Sequence, residues 1–385
     1  AKKIMETPFV FGKIAKAKNF TDRKQETEKL MQNFISASNT ILISPRRWGK
    51  TSLVCHASEL IKKRNKEIKF CFVDLNNVRT EEQFYQYFTS AVLRSTANRA
   101  KELLDNARTF LGRFTPSLTF SPGPASEFRL GMDWKEVKRS PEDVLNLAEK
   151  IGAQKKIKLV ICIDEFQNIS GFEDHIGFQK KLRSQWQQHQ RTSYCIYGSK
   201  RHMMMDVFTS PSMPFYKFGD IIFLEKISSD EWMRFIKERF AQTGKNIASN
   251  DSRLIADLAD CHPYYVQQLA QQAWLRTERI CTSEIIVTAC NSLVLQLSML
   301  FQNLTDGLSN TQVNFLKAIT NNVEQLSSQD TVIEYGLGTS GNVLKIKKAL
   351  VSKEIIDIIG DRITFIDPMY KIWLTDSYFR KSQLT

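Results

Sequence analysis

The 385-residue sequence contains no C-x-x-C pair, although it holds seven cysteines. Cys55, Cys71, Cys162, Cys195, Cys261, Cys281 and Cys290 are scattered, and several lie inside apolar runs. They read as small buried hydrophobes in a reducing cytoplasm, not as zinc ligands or disulfide partners. No apolar run approaches the roughly 18–20 residues of a membrane span, so no membrane partner is expected. The N-terminal stretch AKKIMETPFVFGKI has a charged start but lacks the long apolar core of a secretory signal. Acidic residues are the scarce charge: 41 Asp and Glu face 54 Lys and Arg, a net charge of +13. Such an excess suits a polyanion partner held by phosphate contacts; the alternative is a solvated basic surface around a basic nucleotide pocket. The composition, 42% hydrophobic and 25% charged, is that of a globular chain, and the length calls for two or three domains.

The most informative stretch present is Asn39–Val54, NTILISPRRWGKTSLV. A short β-run, Thr40–Ile43, leads through a Pro/Arg turn to Gly49-Lys50-Thr51-Ser52 and an apolar segment that opens a helix. Strand, loop, Gly-Lys-Thr and helix is the layout of a phosphate-binding loop. Gly49 lets the backbone pass close to phosphate, and the first N–H groups of the helix point at the anion. Lys50 would reach the β- and γ-phosphates, and the Thr51 hydroxyl would bind Mg²⁺. The cradle is then Ser44, Pro45, Arg46, Arg47, Trp48, Gly49, Lys50, Thr51 and Ser52, with Ser44 where the full motif has its first Gly. Serine can take that turn, at a backbone cost if φ must be positive.

A second carrier of chemistry is KIKLVICIDEFQNI. Leu159–Ile163 is a continuous β-branched run, as in a central strand buried on both faces, and it ends in Asp164-Glu165. Two carboxylates there are costly unless their charge is offset. A Mg²⁺ held by Asp164 would do so, and Glu165 would orient and deprotonate an attacking water. A further buried strand, Tyr194–Tyr197, ends in Gly198-Ser199-Lys200, which places Ser199 beside a γ-phosphate.

The remaining pattern surrounds these strands. A helix follows Phe20, capped by Thr21 or Asp22; Phe20 and Arg23 either flank the adenine or belong to an ordinary amphipathic helix. Ile68–Val73 is a strand ending in Asp74. Thr80–Leu104 reads as one long helix with Phe84, Tyr87, Phe88 and Val92 on a shared face. Residues 109–140 form an insertion with a β-hairpin at LTFSPGPASEFRL, of unassigned role. Helices over Pro141–Lys150 and Ile176–Gln190 and a last strand at Ile221–Leu224 complete an α/β parallel sheet.

From Ser229, the expected cap, the chain becomes helical. Segments at Asp251–Ala259, after Pro263, and over Glu284–Leu304 make a small lid. Helices at TQVNFLKAI, SSQDTVIEYGLG and TSGNVLKIKKALVSKEII precede a hairpin about Gly360-Asp361, the order of a winged helix. On the third helix Lys345, Lys347, Lys348 and Lys353 suit duplex phosphates, and Ser340 and Asn342 are the candidate base readers, whereas Val343, Ile346 and Leu350 suit a packing role.

The order NFTDR, SPRRWGKTSL, IDEFQ, YGS, PFYKFG, HPYYVQQLA and FIDPMYKIWL resembles the archaeal-type ATPase family, of the STAND class of AAA-like P-loop NTPases, which is similar to the origin-recognition ATPases. The resemblance runs over nearly the whole chain. It implies a P-loop NTPase parallel sheet over residues 1–226, a helical lid over 227–305 and a winged helix over 306–385. It implies ATP and Mg²⁺ as ligands and slow hydrolysis, with the nucleotide controlling the lid and winged helix. Lys50 and Thr51 are then the triphosphate and Mg²⁺ ligands, Asp164 and Glu165 the metal and water carboxylates, and Ser199 the sensor. Pro263 stands in the family's G-x-P turn, which closes on the base, but the glycine of that turn is Cys261. Lys217, after Tyr216, stands where relatives carry an arginine. The function expected is a cytoplasmic ATPase whose nucleotide state moves a winged-helix module. The alternative is a nucleotide-gated scaffold or DNA-binding regulator that hydrolyses little.

Overall fold

Five strands whose residues are mostly β-branched or aromatic pair side by side, all parallel, in the order β2-β5-β6-β1-β7. They are β1 (Thr40–Ile43), β2 (Ile68–Asp74), β5 (Lys158–Asp164), β6 (Thr192–Gly198) and β7 (Asp220–Phe223). The structure is a computed structural model; it describes residues 6–15, 20–21, 23–97, 99–114, 116–120 and 128–381. Two compact units divide the chain. Arg23–Arg46 and Lys50–Glu225 form one; residues from Lys226 onward, with Arg47–Gly49 and the N-terminal residues, form the other.

In the sheet unit the central strand β6 is buried at all seven positions, and Leu159–Ile163 of β5 is buried throughout. Both faces of these strands are covered, so the apolar run is continuous rather than alternating. The edge strand β2 exposes Lys69, Phe72 and Asp74. Before β1 lies α1 (Lys24–Ile35), and between strands run α2 (Lys50–Arg64), α3 (Glu81–Thr96), α4 (Ala100–Leu111), α5 (Trp134–Arg139), α6 (Glu142–Leu145), α7 (Leu147–Lys155), α8 (His175–Trp186) and α9 (Arg201–Thr209). An aromatic layer knits α3 and α8 to β6: Phe84 meets Phe178 at 5.0 Å, and Trp186 stacks on Tyr194 at 4.1 Å between ring centres. The predicted hairpin is present as β3 (Ser117–Phe120) paired antiparallel with β4 (Phe128–Gly131); its Pro/Gly turn lies outside the described residues.

Three readings of this half need correction. The expected helix Thr80–Leu104 is two: α3 ends at Thr96 and α4 begins at Ala100. Arg99 falls seven residues after Val92, where the buried stripe demands an apolar side chain, so the helix stops and restarts. Tyr87 is 45% exposed, and Tyr85 takes its place in the core, its hydroxyl donating to Glu81 at 2.6 Å. Thr21 does not cap α1; the capping position is Arg23, at φ 65°, with no side-chain cap, and Asp22 lies outside the described residues.

The second unit contains α10 (Ser229–Ala241), β8 (Asn246–Ile247), α11 (Ser249–Leu258), α12 (Pro263–Arg276), β9 (Ile280–Cys281) and α13 (Ser283–Asp306). Then follow α14 (Asn310–Thr320), α15 (Gln329–Glu334), α16 (Ser340–Ser352), β10 (Ile356–Ile359), β11 (Arg362–Phe365) and α17 (Pro368–Trp373). The three helices and the antiparallel pair β10–β11, turning at Gly360 with φ 60°, are the expected winged helix. One core runs from Phe9 and Trp232 through Leu293 to Tyr370 and Trp373. Two hydroxyl contacts join its parts: Tyr265 of α12 donates to Asp367, which also caps α17, and Thr305 of α13 meets Tyr370 at 2.8 Å. The cap of α10 is Ser228, one residue before the predicted Ser229; the Ser229 hydroxyl donates instead to Asp257. No unbroken apolar run reaches span length, but α13 is by length and composition long and apolar enough to cross a membrane, which a search for unbroken runs does not register. Its charged residues, Glu284 and Asp306, lie at its two ends, and between them Asn, Gln, Ser and Thr break up the apolar run. Ile286, Ala289, Leu293 and Phe301 of this helix nevertheless face the core.

Candidate functional site

The chain leaves β1 at Ile43, turns through Ser44–Gly49 and enters α2 at Lys50. Ser44 and Pro45 are buried, Arg46 and Arg47 exposed, and Trp48 is 9% exposed. Positive φ occurs at Arg47 (63°) and Gly49 (86°) but not at Ser44. A serine therefore fits the first-glycine position without the backbone strain that a left-handed conformation carries. At Gly49 an added Cβ would meet nothing within 4 Å, so the glycine answers to conformation rather than crowding. Lys50, 6% exposed, donates to three loop acceptors: Ser44 O at 3.0 Å, Ser44 Oγ at 3.1 Å and Pro45 O at 2.8 Å. A buried ammonium is tolerated because it is hydrogen-bonded. The Ser44 hydroxyl thus helps hold Lys50 against its own loop. Ser52 sits half-buried in the first turn of α2.

The sheet brings the two halves of the chemistry together. Thr51, in the first turn of α2, donates its hydroxyl to Asp164 Oδ2 at 2.7 Å across 113 residues of sequence. Burial pushes the Asp164 carboxyl up to about 6, with the Glu165 carboxylate adding to the rise and Thr51 and Lys50 opposing it. A hydroxyl beside a carboxylate is an oxygen donor pair of the hard type that Mg²⁺ prefers. Among the described residues no cluster of three His, Cys, Asp or Glu could hold a metal ion.

Glu165 takes φ 55°, a left-handed conformation unusual for a residue with a side chain. This turns its carboxylate toward the end of β6. Glu165 Oε2 accepts from Ser199 Oγ at 2.8 Å, from Ser199 N at 3.3 Å and from Gln167 Nε2 at 2.5 Å. Asp164 Oδ1 accepts the Glu165 N–H at 2.9 Å, which fixes the pair. Gln167 and Gly198 are the residues sequence reasoning missed. A Cβ at Gly198 would lie 1.8 Å from Gln167 Oε1, so only glycine leaves room for the amide that holds Glu165. Their signal was present in IDEFQ and YGS, as residues bracketing the carboxylate and the serine.

Other predicted residues stand apart. Arg23 is 4% exposed and pairs with Glu26 on its own helix at 2.9 Å, with Nη2 lacking a partner among the described residues. Lys217 is exposed, its ammonium 5.3 Å from the Tyr216 ring centre. Pro263 is the first residue of α12, in the second unit, and Cys261 before it takes φ 53°. Cys261 thus adopts the conformation that a glycine supplies most readily.

On the winged helix Lys345 and Lys348 are exposed and Lys347 half-buried. Lys353 is occupied, donating to Gly307 O at 2.7 Å. The two candidate base readers are also occupied: Asn342 Nδ2 donates to Leu337 O at 2.8 Å and Ser340 Oγ to Ser327 O at 3.1 Å. Both belong to the helix's own anchoring, which leaves Lys345 and Lys348 as its outward polar contacts.

Residues 299–376 match the family described as "Probable winged helix domain". No curated protein matches the sequence. Among solved structures, the Walker-type ATPase of Pyrococcus abyssi superposes with a TM-score of 0.66 at 16% identity, over 96% of this chain and all of that one. The ORC2 protein of Aeropyrum pernix, solved with ADPNP and ADP, gives 0.56 at 14% identity, over 98% of this chain and all of that one. The ORC1 protein of Aeropyrum pernix, solved in complex with DNA, gives 0.50 at 14%, over 98% of this chain and all of that one. The chain therefore has the fold of these proteins: a P-loop ATPase-type parallel sheet followed by helices and a C-terminal winged helix.

Proposed function

We propose that this protein binds ATP with Mg²⁺ at the Ser44–Ser52 loop and hydrolyses it slowly. The observation that carries the reading is the Thr51–Asp164 hydrogen bond, with Lys50 on one side and Glu165, held by Ser199, on the other. The N–H groups opening α2 receive the phosphates, and Lys50 turns from the Ser44 and Pro45 carbonyls to the β- and γ-phosphate oxygens. Thr51 and Asp164 would hold Mg²⁺, which when bound neutralises charge on the phosphates. Glu165 accepts the proton of the water that attacks the γ-phosphate, and Ser199 fixes the direction of that carboxylate. Arg23 and Pro263 remain candidate base contacts. The proposed domains are the ATPase over 1–226, the lid over 227–305 and the winged helix over 306–385, whose position the nucleotide controls. Seven free cysteines, five of them buried, suit the cytoplasm.

A second reading, a nucleotide-gated scaffold or DNA-bound regulator with little turnover, draws on one feature. Three donors already converge on Glu165 Oε2, so this oxygen is engaged by the protein itself. Calorimetry of Mg-ATP binding, combined with phosphate release with and without duplex DNA, separates the two. Lys50→Ala should abolish binding while the protein stays folded. Glu165→Gln should bind normally and lose about 10²–10⁴-fold in turnover if Glu165 is the base. Unchanged affinity in folded Lys50→Ala would overturn the site. Negligible wild-type turnover with tight binding would select the regulator.

A further inference from the structure

The sheet has a second edge of distinctive charge, on the side away from the phosphate loop. In a parallel sheet all strands begin at one edge, and here cations gather at the starts of β2, β5 and β6, whereas Asp220 opens β7. Lys62, Lys63 and Arg64 form the last turn of α2, and Lys66 and Lys69 follow at the start of β2; all five are exposed. Ile68 of β2 pairs with Lys158 of β5, and Leu159 of β5 with Thr192 of β6, so the residues before these strands are neighbours. That adds the exposed Lys156 and Arg191. Strands lie about 4.8 Å apart, so the cations form a continuous rim across β2, β5 and β6.

The rim's anions, among them the exposed Glu59 and Glu67, are fewer than its seven cations. Glu149 accepts the backbone N–H groups of Gln190 and Arg191, and Glu102 is taken by Lys155. Among the described residues none of the seven cations makes an ion pair; Lys62 lies 5.6 Å and 5.7 Å from the Phe70 and Phe72 ring centres. Cations in the last turn of α2 suit the helix dipole. Lys66, Lys69, Lys156 and Arg191 lie outside that helix and need another account.

We propose that this rim is an interaction surface for the phosphate backbone of duplex nucleic acid, separate from the winged helix. Its charges are spread along an edge rather than gathered in a pocket, which suits a long polyanion and not a small phosphate. A membrane surface is the poorer partner, because membrane-binding basic helices carry a stripe of large apolar side chains beside their cations, whereas the exposed residues near the end of α2 are Glu59, Lys62, Lys63 and Arg64, and the exposed Phe72 nearby lies on β2 against Lys62. Nothing on the rim reads bases, so binding is independent of sequence and steeply dependent on salt. The proposal does not rest on the nucleotide reading.

The test is fluorescence anisotropy of a labelled DNA duplex with the full chain over a salt series. The charge-reversed variant Lys63→Glu/Arg64→Glu/Lys66→Glu should weaken binding at least tenfold at low salt and flatten the log–log salt slope by about 2–3. Lys63→Arg/Lys66→Arg should bind as wild type, and a neutral Lys63→Gln/Lys66→Gln variant serves if charge reversal prevents folding. Lys345→Glu/Lys348→Glu, on the winged helix, measures that module's share. The proposal is overturned if the rim variants bind as wild type while the winged-helix variant loses all affinity. It is equally overturned if wild type ignores duplex at low salt, or is retained only by phosphatidylserine vesicles.

Discussion

The hydroxyl of Ser199 donates to Glu165 Oε2 at 2.8 Å, joining the end of one buried strand to the carboxylate that ends its neighbour. Ser199→Ala removes that donor and leaves the backbone N–H at 3.3 Å. Turnover should fall about tenfold, the worth of one modest hydrogen bond, with Mg-ATP affinity unchanged. Ser199→Thr should retain activity. Equal turnover in wild type and Ser199→Ala would show that the serine does not position Glu165.

Gly198 and Gln167 should behave as one unit. The Cβ of Gly198→Ala lies where Gln167 Oε1 now sits, so the amide must swing away and release Glu165. Gly198→Ala and Gln167→Ala should each lower turnover, and the double variant should be no worse than either. Additive losses in this cycle would mean that the two act separately.

Asp164 predicts an unusual stability profile. Its folded carboxyl titrates near 6, against an ordinary value of 3.8, so between these values the folded state binds more protons than the unfolded one. Stability conferred at low pH is therefore lost as pH rises through about 4 to 6. Asp164→Asn should be more stable than wild type above pH 6, by an amount on the order of 3 kcal/mol, and equal to it near pH 4. Urea melts of the nucleotide-free proteins across this range measure it. Mg²⁺ affinity should weaken as pH falls through about 6, because the protonated carboxyl is no longer a ligand.

Tyr265 and Asp367 make the equivalent contact in the second unit, where burial raises the Asp367 carboxyl above its ordinary range. Tyr265→Phe leaves the buried carboxylate short of one donor and should cost about 1–3 kcal/mol in thermal unfolding. No change in that melt would mean that water or the N–H groups of Met369 and Tyr370 fully replace the phenol.

Much of this protein follows from local sequence. The continuous apolar runs at Thr40, Leu159 and Tyr194 specified buried parallel strands, because only a strand covered on both faces can bury consecutive side chains. Gly49-Lys50-Thr51 and Asp164-Glu165 marked the chemistry through residue type alone, and the hairpin about Gly360 followed from the glycine's conformational freedom. Tertiary structure decided what spacing cannot encode. A period of 3.6 residues admits either Tyr85 or Tyr87 to a helix's buried face, and only the aromatic layer of Phe84, Phe178 and Trp186 selects Tyr85. Lysines such as Lys353, and polar residues such as Asn342, look available in the sequence until the fold supplies the carbonyls that occupy them. The hold on Glu165 likewise needs Gln167 and Ser199, 32 residues apart, to meet at the ends of adjacent strands. That meeting depends on strand order, which no local pattern contains.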